Sequence, residues 1–145
     1  MQPFTTLKAA AIPFDQPNID TDQIIPARFL GKPRDSQVPA LFHDMRYAPD
    51  GKPKPDFVMN KPGFAGARIA VAERNFGCGS SRENAVTVMV DNGFRAFIAP
   101  SFGDIFFNNC FQNGLLPVVL PQAEIDKLAE EARDCMAGAT FAVDP

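Results

Sequence analysis

Beyond residue 62, apolar residues come in short unbroken runs, separated by segments whose apolar positions recur every three or four residues. The runs RIAVAE (68–73), FRAFIAP (94–100) and LLPVVL (115–120) are short and do not alternate with polar residues, so they predict strands buried on both faces. The intervening segments predict helices. Glu83 to Asp91 places Ala85, Val88 and Met89 on one side and closes at Asn92-Gly93, a C-terminal stop signal. DIFFNNCFQN (104–113) follows Ser101, which stands three residues before Asp104 in the manner of a capping box, and Gly114 ends it. Pro121 and Glu124 open a longer helix, AEIDKLAEEARDCM, with Ile125, Leu128, Ala129, Ala132 and Met136 along one stripe. Gly138 closes it, and TFAV follows as a further strand. Strands alternating with helices through short loops predict an α/β domain whose neighbouring strands run parallel.

The N-terminal part follows no single period. LKAAAIPF reads as a strand, and NIDTDQIIPARFL contains an acidic turn in which Asp20, Thr21 and Asp22 can bond their own backbone. Gly31 to Pro62 is proline-rich and irregular, yet Leu41, Phe42, Phe57, Val58 and Met59 interrupt it with apolar anchors.

Composition narrows the function classes. A chain of 145 residues suits one domain, 1–145, with a sizeable core. A net charge of -3 without blocks of one sign shows neither a nucleic-acid stripe nor a polybasic membrane patch. No apolar run is long enough to span a bilayer, and the first residues lack a signal-peptide pattern, so the expected location is the cytoplasm. Cys78, Cys110 and Cys135 are odd in number and widely spaced, a poor disulfide framework; Cys110 and Cys135 read as small buried hydrophobes. With one histidine, His43, and no paired-ligand spacing, the chain has little with which to bind a metal ion or cluster by itself.

One stretch carries candidate chemistry: NFGCGSSRENA (75–85). Ser80 and Glu83 have the spacing of a capping box, which is a purely structural role. Three features add to it. Gly77 and Gly79 flank Cys78 and let a ligand approach backbone N–H groups at a helix start, where an anion is favoured. Arg82 is a cation at the wrong end of the helix dipole, which suggests a negative group held nearby by its guanidinium fork. A serine hydroxyl in that positive potential is biased toward its alkoxide, the direction a general base requires. The pattern G-x-G-x-x-R lacks the third glycine of a dinucleotide fingerprint and the ending of a P-loop, and G-x-S-x-G is absent, which weighs against nucleotide binding and a serine hydrolase.

At GCGSSRE the chain resembles the aconitase superfamily. Together with NIDTDQIIPARFL, PDFVMN, IAPSFGDIFFNN and NGLLPV, the likeness narrows to the small-subunit family of the bacterial 3-isopropylmalate dehydratases, or isopropylmalate isomerases. The resemblance implies a swivelling β/β/α domain, equivalent to the last domain of aconitase. It implies a hydro-lyase of leucine biosynthesis that interconverts 2-isopropylmalate and 3-isopropylmalate by dehydration and rehydration. It further implies a large-subunit partner carrying a 4Fe-4S cluster, with no cofactor on this chain. Matched position by position, Ser80 is expected as the base. Ser81 and Arg82 are expected to bind a carboxylate of the dicarboxylic acid substrate, presented by the Gly77 to Gly79 turn. Thr21, Asp22 and Arg28, from the D-T-D…P-A-R-F segment, are expected to line the same cleft. The family usually has histidine where this chain has Asn84, and its members commonly continue past the point where this chain stops at Asp144-Pro145, so a C-terminal portion is expected to be missing. A related hydro-lyase of the homoaconitase or methylmalate type, and a non-catalytic carboxylate- or partner-binding paralogue, stay open as alternatives.

Overall fold

The computed structural model describes residues 7–134 and 141–143. LKAAAIPF divides at Ala10 into β1 (Leu7–Ala9) and β2 (Ala11–Phe14). The Ala10 carbonyl accepts from the backbone of both Arg68 (3.2 Å) and Ile69 (3.4 Å), and there the chain enters the parallel ladder. The acidic turn becomes α1 (Thr21–Ile24), and the irregular segment contributes α2 (Arg34–Gln37) and α3 (His43–Arg46) among short 3-10 turns. The three apolar runs form β3 (Ile69–Ala72), β4 (Ala96–Ala99) and β5 (Leu116–Val119). Strands β2, β3, β4 and β5 lie side by side in that order, all parallel, with Ala11 opposite Ile69, Ile69 opposite Ala96 and Ala96 opposite Leu116. Every residue of β2, β3 and β4 is buried, which is why their sequences do not alternate.

Each parallel pair needs a crossover. Helix α4 (Glu83–Asp91) joins β3 to β4, and α5 (Asp104–Gln112) joins β4 to β5. The two helices pack on one another, while α6 (Gln122–Arg133) packs along β2, β3 and β4. Gly93 (φ 98°) and Gly114 (φ 77°) end α4 and α5 in the left-handed conformation their positions predicted. TFAV does hold a strand, β6 (Phe141–Val143), but it pairs antiparallel with β1 in a separate ribbon and not with the parallel sheet. Cys135, Met136 and Gly138 lie outside the described residues.

Neither proposed serine cap forms. Arg82 occupies the N-cap of α4 and Gly103 that of α5, and no side chain caps either helix. Ser80 lies two residues ahead of that cap, so its hydroxyl and Glu83 cannot close a reciprocal box. Ser101 instead accepts from the backbone N–H of Asn75 at 2.8 Å, tying the loop after β3 to the loop after β4. The complete capping box is at α1, where Asp20 accepts from Gln23 N (2.8 Å) and Gln23 Oε1 accepts from Asp20 N (3.0 Å).

The proline-rich segment is laced onto α4. Arg34 makes a forked pair with Asp91 at 2.7 and 2.9 Å, and Asn92 donates to the Val38 carbonyl at 3.0 Å. Asn84 donates to Oε1 of buried Gln37 at 3.1 Å. Leu41 and Phe42 are fully buried, and the Phe42 ring lies 5.0 Å from Phe14 and 5.9 Å from Phe57.

Cys110 is buried as expected, and loss of hydration pushes its thiol up to about 12. Because the unfolded thiol ionises near its ordinary value of 9.0, the neutral buried form contributes stability that is complete below pH 9.0 and fades as pH rises toward about 12. Cys110 should therefore resist iodoacetamide in the folded chain and react once urea unfolds it, as mass spectrometry of the labelled peptide would report; labelling at the same rate in both states would contradict the burial.

Candidate functional site

In a parallel sheet, ligands gather outside the carboxyl ends of the strands. Here the loops leaving β2, β3 and β4 meet at that edge. The segment after β3 bridges to both neighbours, with Asp20 paired to Cys78 on one side and Phe76 paired to Phe102 on the other. Gly77 donates to the Ile19 carbonyl at 2.8 Å, Thr21 N to the Cys78 carbonyl at 2.9 Å, and Gly103 N to the Phe76 carbonyl at 2.9 Å. Asn18 (φ 57°) and Asn75 (φ 59°) turn their loops in the left-handed region and bond to each other through Asn75 Nδ2 and Asn18 Oδ1 at 3.0 Å.

Gly77 is required by space as well as by backbone angle, and Gly103 by space alone. A Cβ on Gly77 (φ 78°) would sit 2.3 Å from Cγ of Phe106, and one on Gly103 would sit 2.5 Å from the Gly77 carbonyl oxygen. Gly79 (φ 94°) is less crowded, with Asp20 Cβ at 3.3 Å. These close approaches let the loop lie flat against the start of α5.

The result is a cleft of ≈ 280 Å³ lined by Thr21, Gly77, Cys78, Gly79, Ser80 and Arg82, and on its other side by Gly103, Asp104, Ile105 and Phe106. Five of the eight site residues expected from sequence are thus brought together: Ser80, Arg82, Gly77, Gly79 and Thr21. Ser80 is exposed and its carbonyl accepts from Thr21 Oγ1 at 2.8 Å, while its hydroxyl has no hydrogen-bond partner among the described residues. Arg82 is 18% exposed at its side chain, and its Nη1 donates to Asp22 Oδ1 and to the Ile25 carbonyl, both at 3.2 Å.

Three expected residues do not line the cleft. Ser81 is exposed beside it, and Asp22 reaches the site only by pairing with Arg82. Arg28 is engaged elsewhere. Its Nη1 donates to Asp44 Oδ2 at 2.9 Å, its Nη2 lies 3.3 Å from His43 Nδ1, and its guanidinium sits over the Phe29 ring at 4.7 Å. The hydrogen bond from Arg28, followed by that from His43, holds the Asp44 carboxyl well below the usual carboxylate range. Sequence reading also missed the α5 side of the cleft, from Gly103 to Phe106. The signal was available: S-F-G-D after β4 repeats the strand-then-glycine arrangement of N-F-G-C-G after β3.

No cluster of iron and sulfur fits these side chains. Among the described residues no three His, Cys, Asp or Glu side chains gather in one place. The one thiol on the cleft, Cys78, is pushed up by burial and then by the Asp20 charge, away from the thiolate that a metal requires.

Comparison with known proteins agrees with this geometry. The aconitase C-terminal domain model matches residues 1–123. The 3-isopropylmalate dehydratase small subunit of Paramagnetospirillum magneticum is 55% identical over 133 residues, covering 91% of this chain and 66% of that protein. The protein of the same name from Dinoroseobacter shibae is 52% identical over 145 residues, covering 99% of this chain and 72% of that one. A crystal structure of 3-isopropylmalate dehydratase from Methanocaldococcus jannaschii superimposes with a TM-score of 0.66 at 26% identity, covering 97% of this chain and 83% of the other. The chain belongs to the aconitase C-terminal domain family, in the group of the 3-isopropylmalate dehydratase small subunits. It spans about two thirds of the length of the curated relatives it matches, 66% of the first. The α/β fold of the aconitase type stands as expected.

Proposed function

We propose that the chain is the small subunit of a two-chain hydro-lyase that interconverts 2-isopropylmalate and 3-isopropylmalate in leucine biosynthesis. The observation that carries this is the pairing, in one cleft, of a Ser80 hydroxyl without a partner among the described residues and an Arg82 guanidinium that those residues fasten through Nη1 alone. Nη2 and Nε of Arg82 are the donors with which it takes a substrate carboxylate as a fork. Ser80 Oγ, as alkoxide, takes the proton from the carbon next to that carboxylate. The C–H electron pair becomes the new C=C bond and hydroxide departs from the adjacent carbon. Arg82 and the α4 N-terminus supply the positive potential that lowers the cost of the alkoxide.

The departing hydroxide needs an acid, and the described side chains lining the cleft would not hold a cluster. A 4Fe-4S cluster held by a large subunit would supply that Lewis acid. The partner in this reading is therefore a cluster-bearing large subunit, and the substrate is a branched dicarboxylic acid. No described helix is long and apolar enough to cross a membrane, and a cytoplasmic location accompanies the reading.

Asn84 does not favour the non-catalytic alternative. It turns toward Gln37 and is not part of the cleft lining, so the departure from the family histidine falls on packing and not on the reacting groups. Mixing the chain with a cluster-loaded large subunit should yield 3-isopropylmalate from 2-isopropylmalate. Complex formation without turnover of that acid would overturn the proposal. In the same assay Arg82→Lys should raise KM by about tenfold or more while lowering kcat far less, because a point charge cannot reproduce the fork. An unchanged KM would remove Arg82 from substrate binding.

A further inference from the structure

Asp22 is exposed, with 64% of its side chain open to water, and it belongs to a segment whose resemblance pointed to substrate contact. Its carboxylate does something else. One oxygen, Oδ1, accepts from Arg82 Nη1 at 3.2 Å and from Ala27 N at 3.2 Å. The same Nη1 donates to the Ile25 carbonyl at 3.2 Å. Arg82 is thereby held from one side, by α1 and the residues just after it, while Nη2 and Nε make no hydrogen bond among the described residues. A carboxylate is also a poor ligand for a dicarboxylate, since like charges repel. An exposed pair of this kind adds little to stability, so a purely structural role is a weak explanation for it.

We infer that Asp22, together with the Ile25 carbonyl, is a positioning residue: it fixes one edge of the Arg82 guanidinium so that the other edge meets the substrate carboxylate. The inference rests on the proposed role of Arg82 as the carboxylate grip. It separates two variants that charge alone would treat alike. In Asp22→Asn an amide oxygen can still accept from Nη1 and from Ala27 N, and the lost negative charge favours an anionic substrate. In Asp22→Ala the carboxylate half of the restraint is gone, and among the described residues Nη1 keeps the Ile25 carbonyl alone.

In the reconstituted enzyme, Asp22→Ala should raise the KM for 2-isopropylmalate about tenfold with kcat nearly kept, and Asp22→Asn should restore it to or below the wild-type value. In an Arg82→Ala background, Asp22→Ala should add no further loss, since it acts through a side chain no longer present. A loss of equal size in both backgrounds would overturn the inference and make Asp22 a direct substrate contact. A readout without turnover keeps this apart from the proposed activity. With arginine labelled by nitrogen-15, the Nη signals assigned to Arg82 through Arg82→Lys should show slow rotation in the wild-type chain and Asp22→Asn, and faster rotation in Asp22→Ala, where the Ile25 carbonyl alone is left to hold Nη1. Equal rotation in all three overturns the positioning role even if the enzyme turns over; hindered rotation in an enzyme inert toward 2-isopropylmalate retains it and overturns only the activity.

Discussion

Replacing Ser80 by alanine should leave the fold intact and reduce turnover by roughly 100-fold or more, the scale of a lost general base. Had Ser80 capped α4, the same change would cost about 0.5 to 2 kcal/mol of stability with turnover nearly kept. The fold removes that ambiguity. Arg82 holds the N-cap position, Ser80 is held through its carbonyl by Thr21, and the hydroxyl bonds to nothing among the described residues. An exposed side chain without partners should change the urea midpoint by an amount equivalent to less than about 0.5 kcal/mol. The two measurements together decide the role. A large loss of stability with retained 2-isopropylmalate turnover in the reconstituted enzyme would return Ser80 to a structural part and leave the proposed reaction without its base.

The same geometry explains why such a base would need a second chain. The cleft opens at the carboxyl ends of β2, β3 and β4, with Ser80 exposed on one wall and Ile105, 51% exposed, on the other. An alkoxide open to water on one side is quenched by protonation. Covering the cleft with a partner would exclude that water and strengthen the field of Arg82, because charges interact more strongly once water is removed.

Much of this fold is legible in the sequence, for a definite reason. Strands buried on both faces cannot alternate, so IAVA and AFIA stand out as apolar runs, and Gly93 and Gly114 mark helix ends because only glycine takes their positive φ at no steric cost. Thr21, Gly77, Gly79, Ser80 and Arg82 converge because they flank strand ends that a parallel sheet brings to one edge. What misled was local spacing. S-x-x-E and S-x-x-D both have capping-box intervals, yet Ser80 and Ser101 sit ahead of the true helix starts and are engaged by residues distant in sequence, Thr21 at the Ser80 carbonyl and Asn75 N at the Ser101 hydroxyl. Arg28 was misplaced for a similar reason. Its partners, His43 and Asp44, come from a segment with no period to read, so the pairing that fixes the guanidinium left no pattern along the chain. TFAV shows the limit for strands: its apolar run identifies an extended segment, whereas its pairing with β1 and not with the parallel sheet joins the two ends of the chain and leaves no local pattern.

Changing Gly77 to alanine should be strongly damaging. The new Cβ would lie 2.3, 2.6 and 2.7 Å from three atoms of the Phe106 ring. That ring cannot easily withdraw: Phe106 is 3% exposed and packs against Phe76 at 5.5 Å and Phe102 at 6.1 Å. Two costs combine. The left-handed backbone at φ 78° disfavours any Cβ by about 1 to 2 kcal/mol, and forcing a methyl group into a filled core costs about 1 to 3 more. A loss of about 2 to 5 kcal/mol is expected, visible as a fall in the urea midpoint without a change in slope. Gly79→Ala bears the backbone cost at φ 94° but meets its nearest neighbour only at 3.3 Å, so it should lose about half as much or less. Adding Phe106→Leu to Gly77→Ala should recover part of the overpacking cost and none of the backbone cost, a coupling that adjacent side chains permit and distant ones do not. Strict additivity in that double variant would mean that backbone conformation alone dictates the glycine. Recovery would place the cause in the aromatic wall that α5 presents to the loop, and would make that wall what holds Ser80 and Arg82 at the height of the cleft.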